Sequence, residues 1–66
     1  MTGEELRERL DRLRARRGLL YKDVAPLLGL TLAGLNHQMR GVRAVTPPTV
    51  LLLERLEAEQ DRADAA

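Results

Sequence analysis

The sequence predicts an all-α fold: one small domain of four helices, five at most. Three observations carry that expectation. Leucines recur at helical spacing near both ends of the chain, at Leu6, Leu10 and Leu13 and again at Leu52, Leu53 and Leu56. Thr2, Thr31 and Thr46 each stand where a hydroxyl can cap the first turn of a following helix. Gly18, Gly29 and Gly41 each follow an apolar-periodic segment, and glycine takes the left-handed conformation that ends a helix without a Cβ penalty.

The elements follow in order. Thr2 and Glu5 have the spacing of a capping box, so the first helix runs from about Gly3 to Arg17 and stops at Gly18. The second helix begins between Tyr21 and Asp23. Pro26 should limit how early it starts, because proline is comfortable only in a first turn. Leu20 and Tyr21 stand where a polar cap is usual, which leaves Asp23 to do the capping and predicts a short helix. Val24, Leu27 and Leu28 recur at helical intervals along it, and Ala25 is small enough to let the next helix approach.

Gly29-Leu30-Thr31 is then a tight turn, with Leu30, its only apolar residue, expected to drop inward and fix the crossing of the two helices. In the third helix, residues 32 to 40, Leu32, Leu35 and Met39 are expected on one face and Ala33, Asn36, His37 and Arg40 on the other. That second face is small and hydrogen-bonding and carries no acid, unlike an ordinary solvated face. Two short apolar-periodic segments joined this way, over residues 22 to 41, have the layout of a helix-turn-helix that reads DNA.

After Gly41 the segment from Val42 to Val45 reads as a loop, and Thr46-Pro47-Pro48 is a strong helix start with threonine as cap. The fourth helix is expected to reach about Gln60, with Thr49, Leu52, Leu53 and Leu56 on its core face and Leu51 on the far side near Glu54 and Arg55. Residues 1 to 60 then form the domain, and residues 61 to 66 a frayed tail.

On Ala25, Gly29, Leu30, Thr31, Leu35 and Gly41, residues 18 to 41 resemble the small phage-repressor and Cro type (XRE-type) helix-turn-helix domains. With the flanking helices the resemblance covers roughly residues 4 to 57 and implies a compact lambda-repressor-like fold. Its weight rests on the joint register of these residues, since each alone recurs in unrelated helical hairpins. The resemblance implies that the first residues of the third helix, and a position a turn and a half later, point into the major groove; here these are Leu32, Ala33 and His37. Leu32 departs from the polar residue often found there, and its chemistry suits either a thymine methyl or the core. Asn36 and His37 can hydrogen-bond base edges, with Gln38 at the edge of the same surface. Arg40 and Arg43 suit phosphates, and Tyr21 and Lys22 would clamp the backbone on the other side.

Charge and composition bound the function. The chain has 66 residues, no cysteine and a net charge of +1. A domain of this size buries only about 60% of its unfolded surface, so a second copy would help it; Leu51 and Arg55 are the candidate dimer contacts. The charge is unevenly spread. Arg7, Arg9, Arg12, Arg14, Arg16 and Arg17 crowd the first helix, whereas after Val50 Glu54, Glu57, Glu59, Asp61 and Asp64 outnumber Arg55 and Arg62. Of the arginines of the first helix, Arg7, Arg9 and Arg12 are expected to pair with their own helix's acids at i,i+3 and i,i+4.

His37 has no paired metal ligand, no Ser/His/Asp arrangement or phosphate loop is present, and no cofactor or small-molecule ligand is expected. Without a signal-peptide start or a membrane span, the chain is expected in the cytoplasm. The reading is thus a DNA-binding autorepressor, dimeric on a palindromic operator, as in small phage and mobile-element regulators including Cro-like and anti-CRISPR-associated proteins. The competing class is an antitoxin-like or adaptor helix bundle that binds another protein through the Leu51 face.

Overall fold

The computed structural model describes residues 1 to 65 and contains α1 (Gly3–Arg17), α2 (Tyr21–Leu27), α3 (Leu32–Met39) and α4 (Pro47–Ala65), with no strand among the described residues. The caps anticipated at Thr2, Thr31, Gly18 and Gly29 are present, whereas the Thr46 hydroxyl pairs with that of Thr49 at 3.0 Å rather than with a backbone N–H. The Thr2 Oγ1 accepts from the Glu5 N–H at 3.1 Å, and Gly18, at φ +66°, donates its N–H to the Arg14 carbonyl at 2.7 Å.

Helix α2 starts at Tyr21, so Pro26 does not limit the start as the sequence suggests. It sits in the second turn, where it removes one intrahelical donor, and α2 ends one residue later. The early start is supported by Asp23, whose carboxylate accepts from the Leu20 N–H at 3.0 Å, half of a capping box whose other half an oxygen-free leucine side chain cannot supply. The turn after α2 closes as a Schellman motif. Leu30 donates to the Ala25 carbonyl at 2.9 Å and Gly29, at φ +70°, to that of Pro26 at 3.0 Å. Leu30 is half-buried against the core, as a turn pin should be.

The core is aliphatic: Leu6, Leu10 and Leu13 of α1, Val24 and Ala25 of α2 with the adjoining Leu28, Leu35 of α3, and Leu53 and Leu56 of α4. Each fully buried leucine stabilises the fold by about 1.5–3 kcal/mol relative to its exposure. Two expected core positions differ. Leu27 is exposed, because α2 is too short to bury both sides of its last turn. On α3 Leu32 is 44% exposed; the inward side is formed by Leu35 and Gln38, with Met39 half-buried against the same core as expected.

The end of α3 has a close neighbour. A Cβ at Gly3 would stand 2.3 Å from the Gln38 carbonyl oxygen and 2.7 Å from that of Met39. The first turn of α1 therefore abuts the last turn of α3 backbone to backbone. The arrangement brings a helix N-terminus, with its unpaired N–H groups, onto a helix C-terminus with its unpaired carbonyls.

Helices α1 and α4 run side by side in the same direction, and their contact changes character along its length. The apolar stripe Leu6, Leu10, Leu13 continues at helical spacing as Arg17, and Thr49, Leu53, Leu56 continues as Gln60; Arg17 Nε donates to Gln60 Oε1 at 2.8 Å. Around this pair Arg9 bonds to Glu57, Arg16 to Asp64 at 2.5 Å and to Asp61 at 3.7 Å, and Arg17 to Glu59 at 3.9 Å. Arg9 thus pairs across helices rather than within α1, contrary to the sequence expectation; Arg14 does pair locally, with Asp11 at 3.0 Å. The cross-helix pairs also explain why residues 61 to 65 are helical instead of frayed; Ala66 lies outside the described residues. None of the helices is long and apolar enough to cross a membrane.

Candidate nucleic-acid interface

Helix α3 is presented by its cap and by the loop after it. The Thr31 Oγ1 accepts from the Gly34 N–H at 3.0 Å. A Cβ at Gly34 would stand 3.2 Å from that same oxygen, so the small residue at 34 serves the cap rather than the open face. Beyond α3, Gly41 at φ +78° reverses the chain, and the Arg43 N–H reaches back to the His37 carbonyl at 3.1 Å. The loop is thereby folded against the end of α3 and returns Arg43 toward Arg40.

On the outward face Ala33, Asn36 and Arg40 are exposed, His37 is half-buried, and Leu32 stands in solvent at 44%. The ambiguity over Leu32 is resolved against the core. Lys22 and Arg43 are exposed at the flanks. Among the described residues Lys22, Arg40 and Arg43 form no ion pair, so their charge is available to a ligand. Val42, expected only as part of a loop, is 68% exposed beside Arg43.

Two residues expected at this surface are engaged elsewhere. Gln38 is only 5% exposed and lies on the inward stripe of α3, with its Oε1 buried and without a hydrogen-bond partner. Its amide cannot reach a base edge from there. Tyr21 is half-buried with its hydroxyl donating to Asp11, while the Arg14 guanidinium lies 3.8 Å from the centre of its ring. Burial first, and then the bond to the Asp11 carboxylate, hold the phenol pKa above its ordinary value of 10.0. Tyr21 fastens α2 to α1, and a phosphate there would face a carboxylate. A single aromatic in an otherwise aliphatic chain is the sequence signal for such a packing role.

Compared with protein-family models, with curated proteins and with solved structures, the chain matches none. Its chemistry must be argued from its own residues. No three His, Asp or Glu side chains converge as metal ligands among the described residues. Of the candidate dimer contacts, Leu51 is 64% exposed and Arg55 is exposed beside it, one turn further along α4.

Proposed function

We propose that this protein is a sequence-specific double-stranded DNA-binding regulator of the lambda-repressor-like helix-turn-helix kind. In this reading α3 enters the major groove. Ala33 admits the helix closely, Asn36 and His37 read base edges, and Leu32 meets a thymine methyl. Lys22, Arg40 and Arg43 neutralise phosphates and set the register of the helix on the duplex.

The observation that carries the reading is the composition of one surface. The outward face of α3 holds small, amide, imidazole and unpaired cationic groups without an acid, on a chain whose net charge is only +1. A face built merely to be solvated would mix charges of both signs. The exposed Leu51 and Arg55 would supply the contact for a homodimer on a palindromic operator, through which the regulator would repress its own gene in the cytoplasm. The same exposed leucine favours a second reading, a helical protein-interaction module docking through α4.

Protection mapping of the duplex upstream of its own gene, repeated across a salt series, tests the proposal. A symmetric footprint is expected, with affinity falling steeply as salt rises. Salt-insensitive or absent duplex binding, together with capture of a partner that Leu51→Glu abolishes, would establish the interaction module instead.

A further inference from the structure

The arginines of α1 are the largest block of positive charge on the chain, and three of them, Arg9, Arg16 and Arg17, face α4 rather than the surface just described. We propose that the acidic half of α4, from Glu57 onward, is a built-in polyanion that occupies the arginine row of α1 and keeps phosphate chains off that face.

The contact is laid out as a row. Arg9 meets Glu57, Arg17 meets Gln60 and Glu59, and Arg16 meets Asp61 and Asp64. From Arg9 to the Arg16–Arg17 pair, the contact advances in the same direction along α4, from Glu57 to the stretch between Glu59 and Asp64. The contact is also exchangeable. Apolar packing between the helices ends at Leu13 and Leu56, so beyond those residues polar and ionic groups alone join the two helices. Arg16 and Asp64 keep roughly half of their side-chain surface in solvent, at 55% and 46%, where a competing anion can reach them. An open groove between the helices, lined by Arg9, Arg12, Arg16, Glu57 and Asp61, gives that anion its access.

The consequence is directional. With Arg9, Arg16 and Arg17 neutralised from within, α1 keeps only Arg7 and Arg12 without an ionic partner among the described residues, so a polyanion meets less charge there and is drawn more strongly to Lys22, Arg40 and Arg43. The biological ligand rests on the DNA-binding reading, but the masking itself does not, so inorganic polyphosphate serves as the probe.

The test uses the full chain. Asp64→Asn removes one charge from the row, and Glu8→Gln removes one elsewhere. At low salt the first variant is expected to bind polyphosphate about fivefold more tightly than the second, and adding Arg16→Gln should return it to the control value. Equal affinity of the two variants, or a gain that survives Arg16→Gln, overturns the proposal. Should the neutralised chain lose helicity, arginine side-chain NMR of the unaltered protein decides. Polyphosphate must leave the Arg9, Arg16 and Arg17 signals in place, and early shifts there overturn the masking. Unmoved Arg40 and Arg43 signals would instead count against the DNA reading alone.

Discussion

On the α3 side Lys22, Arg40 and Arg43 stand exposed with no ionic partner among the described residues, whereas on the α1–α4 side Arg9, Arg16 and Arg17 are each bonded to a side chain of α4. The residue type is nearly the same on both sides; what differs is which element packs opposite. Charge counted along a sequence therefore misleads about charge offered to a ligand. Of the six arginines of α1, only Arg7 and Arg12 have no ionic partner among the described residues. The bond to Glu57 holds the Arg9 guanidinium even more firmly protonated than usual.

Several substitutions would break or sharpen this contrast. The largest effect is expected at the joint between the two sides, where a Cβ at Gly3 would collide with the Gln38 and Met39 carbonyls. Gly3→Ala should cost about 2–3 kcal/mol in urea unfolding, since both neighbours are backbone and cannot move aside alone. An unchanged midpoint would show that α1 does not seat on α3 in this way.

Next comes the functional contrast itself. Arg40→Ala should weaken duplex binding about fivefold to tenfold for all sequences and reduce the salt slope by about one unit, while Arg9→Ala leaves both nearly unchanged. Equal losses from the two, measured by fluorescence anisotropy, would abolish the distinction between the faces.

A smaller gain is expected from Gln38→Leu. The buried Oε1 has no partner, and an unsatisfied buried acceptor costs about 1–3 kcal/mol, so the apolar variant should raise the thermal midpoint by the equivalent of about 1 kcal/mol. Because Gln38 faces inward, its replacement should leave base preference intact; a changed preference would put that side chain at the DNA after all.

The smallest effect concerns Tyr21, the one aromatic in the chain. Its ultraviolet titration should have a midpoint above 10.0. A folded-state pKa above the unfolded value means that the native state holds its proton longer. This contribution to stability is complete below the ordinary tyrosine range and is lost as pH rises through the folded pKa. Tyr21→Phe should remove that alkaline dependence, and an unshifted titration would mean that the phenol is not bonded to Asp11.

Much of the fold was legible because helix ends are written locally. Thr2, Thr31, Gly18 and Gly29 act through bonds to residues three or four positions away, and each acts as its type and spacing indicate. Leu6, Leu10, Leu13 and Leu35 are buried because their periodicity leaves no other face for them. Pro26 was misleading, since the rule against an interior proline weighs less in a helix that ends one residue later. Gln38 was misleading in another way: its polarity suggests the surface, while its register with Leu35 places it inside. For Asn36, His37 and Arg40, register and polarity agree.

By itself, then, the sequence determined the helices, their caps, the tight turn and the polar face of α3, all of which depend on interactions within a few residues. Only the tertiary structure decided which cations are covered, because Arg9, Arg16 and Arg17 find partners more than forty residues away on a parallel helix. The same holds for the need for glycine at position 3, which arises from the end of α3. Pairing across the fold depends on which surfaces the core brings together, and no local pattern records that.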